Sequence, residues 1–151
     1  MKIYSLKRVQ SLPISRAEAW AFFTDPLNLS KITPESMSFE ILSELPEKIY
    51  SGLIIEYFVR PIPGLRVRWI TEIKHVEEGK FFIDEQRFGP YKFWYHKHTF
   101  ESSNEGALMT DEVIYALPFG FLGRLFGSRL VANKLKTIFD YRYKVLKENF
   151  G

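Results

Sequence analysis

Hydrophobic positions recur every second residue through most of this chain, and every third or fourth residue only near its two ends. Over residues 3–12, Ile3, Ser5, Lys7 and Val9 alternate with Tyr4, Leu6 and Arg8, which predicts a strand ended by Pro13. Ser15 followed by Glu18 has capping-box spacing. Ala17, Ala19, Trp20, Ala21 and Phe23 then make a short helix, closed at Asp25-Pro26 because proline disfavours helix in the residue before it. Residues 27–32 form one further turn before Thr33-Pro34. Six strands follow, over residues 38–45, 53–60, 65–76, 80–87, 92–101 and 107–117. The Pro- and Gly-containing breaks between them suit an antiparallel meander. After Pro118 the segment FGFLGRLFG reads as a loop, and a long helix runs from about Ser128 to Asn149.

That last helix places Val131, Leu135, Ile138, Val145 and Leu146 on one stripe, with Asn133, Lys136, Asp140, Lys144 and Lys147 facing away. Arg142 falls on the apolar stripe. Either it reaches an edge or pairs with a structural carboxylate, or its guanidinium enters a cavity between helix and sheet.

The stretch FFIDEQRFGPYKFWYHKHTF, residues 81–100, breaks the usual rule for an inner strand face. Trp94, His96, His98 and Phe100 share one face, and Phe82, Asp84 and Gln86 share one face of the strand before. Aromatics, imidazoles, a carboxylate and an amide suit a cavity wall better than a dry core. Turning Glu85, Arg87, Lys97 and Thr99 to water sends the histidines and Asp84 inward. It also leaves Phe93 and Tyr95 outside, so an edge or a second copy of the chain is expected to cover them, and a homodimer is one outcome.

Pairing extends the pattern. With residues 102–105 as a four-residue hairpin loop, Glu101 stands opposite Gly106, His98 opposite Met109, His96 opposite Asp111 and Trp94 opposite Val113. Asp84 falls opposite or diagonal to His96 across the Gly-Pro turn. Opposed side chains lie about 5 Å apart at Cβ, so Asp84, His96 and Asp111 form a row across three strands. Carboxylate neighbours are expected to raise the His96 pKa. The row has three readings: a buried polar network, a polar anchor for a ligand in an aromatic pocket, or a catalytic or metal-binding group. His-x-His beside a carboxylate can bind a divalent ion, but the same spacing arises whenever two histidines share a strand face. Neither metal nor cofactor is expected. Trp69, Tyr57, Met109 and Tyr115 are further candidates for the pocket wall, and His75 is expected at the surface.

Composition narrows the classes. At 151 residues the chain is expected to form one domain with a core of its own. With no cysteine, disulfides, thiolate catalysis and cysteine-ligated metals are excluded. That absence, and an N-terminus without a long apolar run, point to the cytoplasm and against stable membrane insertion. A net charge of +3 from scattered Lys and Arg argues against nucleic acid.

The order of strand, two short helices, six strands and a long helix is an α+β helix-grip arrangement. A strongly bent antiparallel sheet of about seven strands would wrap the C-terminal helix. Through GPYKFWYHKHTF, MTDEVIYALPFG and TIFDYR the chain resembles the START-like, or SRPBCC, superfamily, which includes polyketide cyclases, lipid-transfer START domains and pollen-allergen-type hormone binders. It looks closest to a bacterial ligand-binding subgroup, and the resemblance covers residues 1–151 as one domain. It implies binding of a small hydrophobic or aromatic ligand between sheet and helix; the facing of strands and helix, not the resemblance, makes Trp94, His96, His98, Asp84, Gln86, Asp111, Trp69, Tyr57, Met109, Tyr115 and Arg142 the candidate contacts. A cyclase or dehydratase using His96 with Asp84 and Asp111 is the alternative. A lipid carrier, with residues 119–127 as a gate or membrane contact, is a third.

Overall fold

A computed structural model of the chain describes residues 1–62 and 64–151, apart from the side chains of residues 62 and 126. Among these residues seven antiparallel strands form one open sheet: β1 (Tyr4–Leu12), β2 (Glu40–Ile41), β3 (Ile54–Ile62), β4 (Leu65–Glu77), β5 (Phe81–Phe88), β6 (Phe93–Ser103) and β7 (Gly106–Ala116). Their order is β1-β7-β6-β5-β4-β3-β2, so every neighbour pair except β1-β7 is consecutive in the chain. Helix α1 (Arg16–Phe23) and the 3-10 turns Pro26–Ile32 and Glu35–Met37 fill the connection from β1 to β2. Helix α2 (Gly120–Phe150) ends the chain. This is the α+β helix-grip architecture that the strand and helix order predicts.

Local chemistry accounts for the element boundaries. Ser15 Oγ accepts the Glu18 N–H at 3.1 Å, and the Glu18 carboxylate accepts the Ser15 N–H at 2.7 Å, completing the capping box. Asp25 caps the next turn by accepting from Leu27 N at 3.0 Å. In β6 buried and half-buried residues alternate from Phe93 to Phe100, as in a strand with one face on a core. Phe93 and Tyr95 are half-buried on the outer face, where Tyr95 stands between Glu85 and Ile114.

Three boundaries differ from the sequence expectation. The strand over 38–45 contracts to Glu40–Ile41. Ser38 sits at φ 45° at the end of a 3-10 turn, and Ser43 accepts the Glu56 N–H through its hydroxyl at 2.7 Å, where a strand would use its main chain. Residues 120–127 are helical, so α2 starts about two turns early. Phe119 turns the chain at φ 63°, and glycines at 120, 123 and 127 had lowered the helical signal. The β6-β7 hairpin closes through Asn104 and Glu105 alone, with Ser103 opposite Gly106. Gly106 has φ 129°, and a Cβ there would lie 2.3 Å from the Leu12 carbonyl oxygen. The offset is two residues, so every side chain keeps its face while its partner changes.

Two apolar clusters fill the space between sheet and helices. One gathers Leu12, Trp20, Phe82, Phe100, Met109 and Leu146. The other gathers Trp94, Val113, Tyr115, Leu117, Leu135 and Phe139. Along the β1 edge α2 is held by polar contacts: Gln10 Nε2 donates to the Tyr143 carbonyl at 3.0 Å, and Arg8 pairs with Asp140 at 2.8 Å. No helix among the described residues is long and apolar enough to cross a membrane.

Gly106→Ala is expected to lower the unfolding free energy by more than about 1 kcal/mol, because both its dihedral and its contact with Leu12 forbid a side chain. Urea denaturation measures this, and a midpoint equal to wild type would refute the hairpin geometry.

Candidate functional site

The strand register brings two histidines and two carboxylates together. Asp84 on β5 stands opposite His96 on β6, and His98 stands opposite Asp111 on β7. His98, not His96, is therefore the residue facing Asp111 directly, which corrects the row derived from a four-residue loop. The hydrogen bonds nevertheless run along the diagonals. His96 Nε2 lies 2.7 Å from Asp111 Oδ1, and His98 Nε2 lies 2.7 Å from Asp84 Oδ2. His98 Nδ1 is 3.1 Å from the same Asp111 oxygen but lacks hydrogen-bond alignment, so that contact is an ion pair only. His96 Nδ1 is 3.9 Å from Asp84 Oδ2.

Aromatic packing fixes these rings. Phe82 stacks on His98 at 4.1 Å between centroids, and His98 lies 3.7 Å from His96. Phe139 and Trp94 present their rings edgewise to His96 at 5.8 and 6.2 Å. Phe82 belongs to one apolar cluster, and Trp94 and Phe139 to the other. The polar group thus fills the seam between the two halves of the core.

Burial and charge divide the two imidazoles. Burial, and then the positive charge of His98, hold the His96 pKa below its ordinary value despite the Asp111 bond. The expected rise falls on the other ring. Burial pulls His98 down as well, but its close contacts with the charged Asp111 and Asp84 outweigh it and raise the pKa. Burial would raise both carboxyls, yet the imidazoles keep Asp84 below the usual range and Asp111 well below it. In the protonation state where His98 carries a proton and His96 does not, which these directions favour, two anions (Asp84, Asp111) face two cations (His98, Arg142) and their charges sum to zero.

Arg142 comes from α2. It is only 7% exposed, its Nε has no hydrogen-bond partner, and Nη1 is 3.9 Å from Asp111 Oδ1, beyond hydrogen-bond length. Its guanidinium carbon sits 4.8 Å from the centre of the Phe139 ring.

Two chambers adjoin this group. The smaller, about 170 Å³, lies under α1 and the first 3-10 turn and reaches Asp84, His96 and His98. The larger, about 390 Å³, lies between β3–β6 and the first half of α2, against Leu117, Gly123, Gly127, Val131 and Leu135. Phe39, Tyr57, Trp69, Trp94, His96 and Arg142 border both, forming a common wall. Trp69 Nε1 has no hydrogen-bond partner. Burial, aided by the charge of Asp84, pushes the Tyr57 phenol well above its ordinary value, so it remains an O–H donor.

Of the residues singled out in the sequence, Trp94, His96, His98, Asp84, Trp69, Tyr57 and Arg142 line these chambers. Asp111 stands behind the imidazoles. Gln86, Met109 and Tyr115 line neither. The Gln86 amide instead clamps the β5-β6 turn, donating to the Tyr91 carbonyl at 2.7 Å and accepting from its N–H at 3.0 Å. Met109 is core, and Tyr115 stacks on Tyr4 at 5.4 Å. His75 is exposed, stacked on Phe81. Phe22, Phe23, Leu29 and Phe39 were missed: Phe22 and Phe23 end α1, a helix too short for its period to assign a face, and Leu29 and Phe39 lie in a turn and a connection that follow neither period.

Asp84, His96 and His98 offer three ligand atoms within 4.8 Å of one another, a set that could hold a metal ion. Here the Nε2 atoms of both histidines point at carboxylates, and a guanidinium stands nearby. As a neutral ring with Nε2–H donated to Asp111, His96 keeps Nδ1 free to accept a proton.

Ring-proton NMR is expected to show His98 titrating above about pH 6.5 and His96 below it. The raised His98 contributes stability that is full below about 6.5 and fades as pH rises through its folded value. The depressed His96 contributes stability that is present above about 6.5 and fades as pH falls through its folded value. Their joint contribution therefore peaks near about pH 6.5. Asp111→Asn should lower the His98 value; an unmoved His98 resonance would contradict the ion pair.

No protein-family model and no curated protein matches the sequence. Solved structures do resemble it. The Zhui aromatase/cyclase from Streptomcyes sp. R1128 superposes with a TM-score of 0.75 at 11% identity, covering 97% of this chain and 93% of that one. TTHA0849 from Thermus thermophilus gives 0.72 at 18% identity over 97% and 95%. Ara h 8.0201 gives 0.65 at 13% identity over 97% and 99%. Together with the strand order and the long C-terminal helix, these superpositions show that the chain has the SRPBCC-type, START-like helix-grip fold that its sequence motifs resemble.

Proposed function

We propose that this protein binds a small, mostly hydrophobic or aromatic molecule between the sheet and α2, with one polar group held at the wall between the two chambers. The observation that carries this reading is the wall itself. Tyr57, Trp69 and Trp94 supply ring surface there, and His96 and Arg142 supply directional polar groups. Ring faces contribute about 25 cal/mol per Å² of apolar area covered. The few polar groups fix orientation, the usual division of labour in small-molecule sites. The chambers together fall within the roughly 300–1,000 Å³ typical of such sites. Solved neighbours include an aromatase/cyclase, which is consistent with ligand chemistry on this fold without assigning any to this chain.

One observation favours a second reading. A buried, neutral His96 oriented by Asp111 has the form of a general base, so a cyclase or dehydratase acting on the bound molecule is the alternative. Turnover of a polyketide-like substrate, lost in His96→Gln with binding retained, would establish it.

The binding reading is tested by filling the larger chamber. A Cβ at Gly127 would meet only Leu117 Cδ1, at 3.9 Å, so a longer side chain has room to extend into the void. Gly127→Leu is expected to fold at least as stably as wild type, since glycine costs a helix interior about 0.8–1.0 kcal/mol. It should weaken binding of an apolar fluorescent probe more than about tenfold, by removing the contacts of a whole ring. Trp94→Ala should weaken the probe as well. Unchanged probe affinity in both folded variants would overturn the reading.

A further inference from the structure

Resting on that reading, we propose that the bound molecule is an acid, whose carboxylate is received by the Arg142 guanidinium while its apolar body occupies the larger chamber.

Hydrogen-bonding capacity in the charge group is left unspent mainly at Arg142. Asp111 Oδ1 and Asp84 Oδ2 are each engaged by an imidazole at 2.7 Å. Each imidazole is engaged in return through its Nε2. Arg142 is the exception: a guanidinium carries five N–H donors, yet its nearest carboxylate oxygen is 3.9 Å away and its Nε has no partner. A buried cation left in that state is costly unless another acceptor reaches it.

The neighbouring groups on the common wall have the same polarity. Trp69 Nε1 is a donor without a partner, and Tyr57 is held in its O–H form. The buried side-chain polar atoms left without a hydrogen bond, among the described residues, are Trp69 Nε1, His98 Nδ1 and Arg142 Nε; all are nitrogens, and none is an oxygen. The complement of that wall is a group rich in acceptors. A planar carboxylate matches the guanidinium fork with two parallel bonds, which a hydroxyl cannot do. An ammonium ligand would meet Arg142 with like charge. A wholly apolar one would leave the guanidinium as it stands.

Charge balance agrees. Asp84, Asp111, His98 and Arg142 already sum to zero, so an incoming anion leaves one negative charge that a proton on the neighbouring His96 can cancel. Tyr57 stays neutral, and among the described residues the larger chamber's lining carries, besides His96 and Arg142, one further charged side chain, the cation Lys134 on α2.

A matched series of naphthalene probes tests this: 2-naphthoate, 2-naphthamide, 2-naphthylmethanol and 2-naphthylmethylamine, followed by quenching of Trp69 and Trp94 fluorescence and by calorimetry. Wild type is expected to bind 2-naphthoate about tenfold or more tighter than the amide or alcohol, the worth of a charge-assisted pair. The amine should bind weakest. Arg142→Met should erase the preference for 2-naphthoate, weakening 2-naphthoate about tenfold more than 2-naphthamide, because only the charge-assisted part of the contact is peculiar to the acid. If Arg142→Met does not fold, Arg142→Lys serves: it keeps the charge but loses the fork, and should reduce the preference without abolishing it. Equal affinity for naphthoate and naphthamide overturns the acid assignment, and a preference that survives Arg142→Met overturns Arg142 as the receiving group; either result leaves a binding cavity in place. If none of the four probes binds, the cavity reading and this assignment fall together.

Discussion

The structure depends on a buried group of charges that can be tolerated only as a whole. Asp111, His98 and Arg142 are withdrawn from water and Asp84 is largely so, and each would be costly alone in the seam between two apolar clusters. Their compensation is geometric. β5, β6 and β7 must keep their pairing, and α2 must lie close enough to bring Arg142 to 3.9 Å from Asp111. The aromatic rings then act as spacers: Phe82 and the two imidazoles form a stack, with Phe139 and Trp94 against its far side. Losing one partner would strand another, so the sheet centre and the helix hold each other in place through charge as much as through apolar contact.

Much of this arrangement is legible in the sequence because β-strand alternation is strict. Placing Glu85, Arg87, Lys97 and Thr99 outside is enough to send Asp84, His96 and His98 inward, whatever the loop lengths. Arg142 is legible as a break in a helical stripe. What alternation leaves open is which inward residue faces which. That depended on a turn whose length is set by Gly106, a residue whose positive φ and packing against Leu12 are tertiary facts. The two-residue error had an electrostatic cost: it gave His96 the direct carboxylate partner and the raised pKa that His98 possesses.

The start of α2 was hidden for a related reason. Glycines at 120, 123 and 127 weaken the helical signal, yet two of them form chamber wall. A helix that must leave room beside a sheet sacrifices side chains where it passes the void, and so looks least helical there. The connection between α1 and β2 was opaque differently. Its 3-10 turns follow neither period, so the inward facing of Leu29 and Phe39 is fixed by packing alone.

The short β6-β7 turn ties chain length to chemistry at one place. With the two-residue turn kept, two residues added between Ser103 and Gly106 would slide β7 so that Asp111 faced His96 instead of His98, moving the β7 carboxylate from one imidazole to the other without turning any residue around. One residue added, unless absorbed as a bulge, would turn the strand over, taking Asp111 and Val113 to water and Glu112 and Ile114 inward. The exposed residues 46–48 between β2 and β3 make no pairing with the charge group and can vary in length without disturbing it, whereas Ile49 and Leu53 beyond them are buried in the core. Insertions and deletions among relatives are therefore expected to accumulate in that connection, and to enter the β6-β7 turn only in pairs.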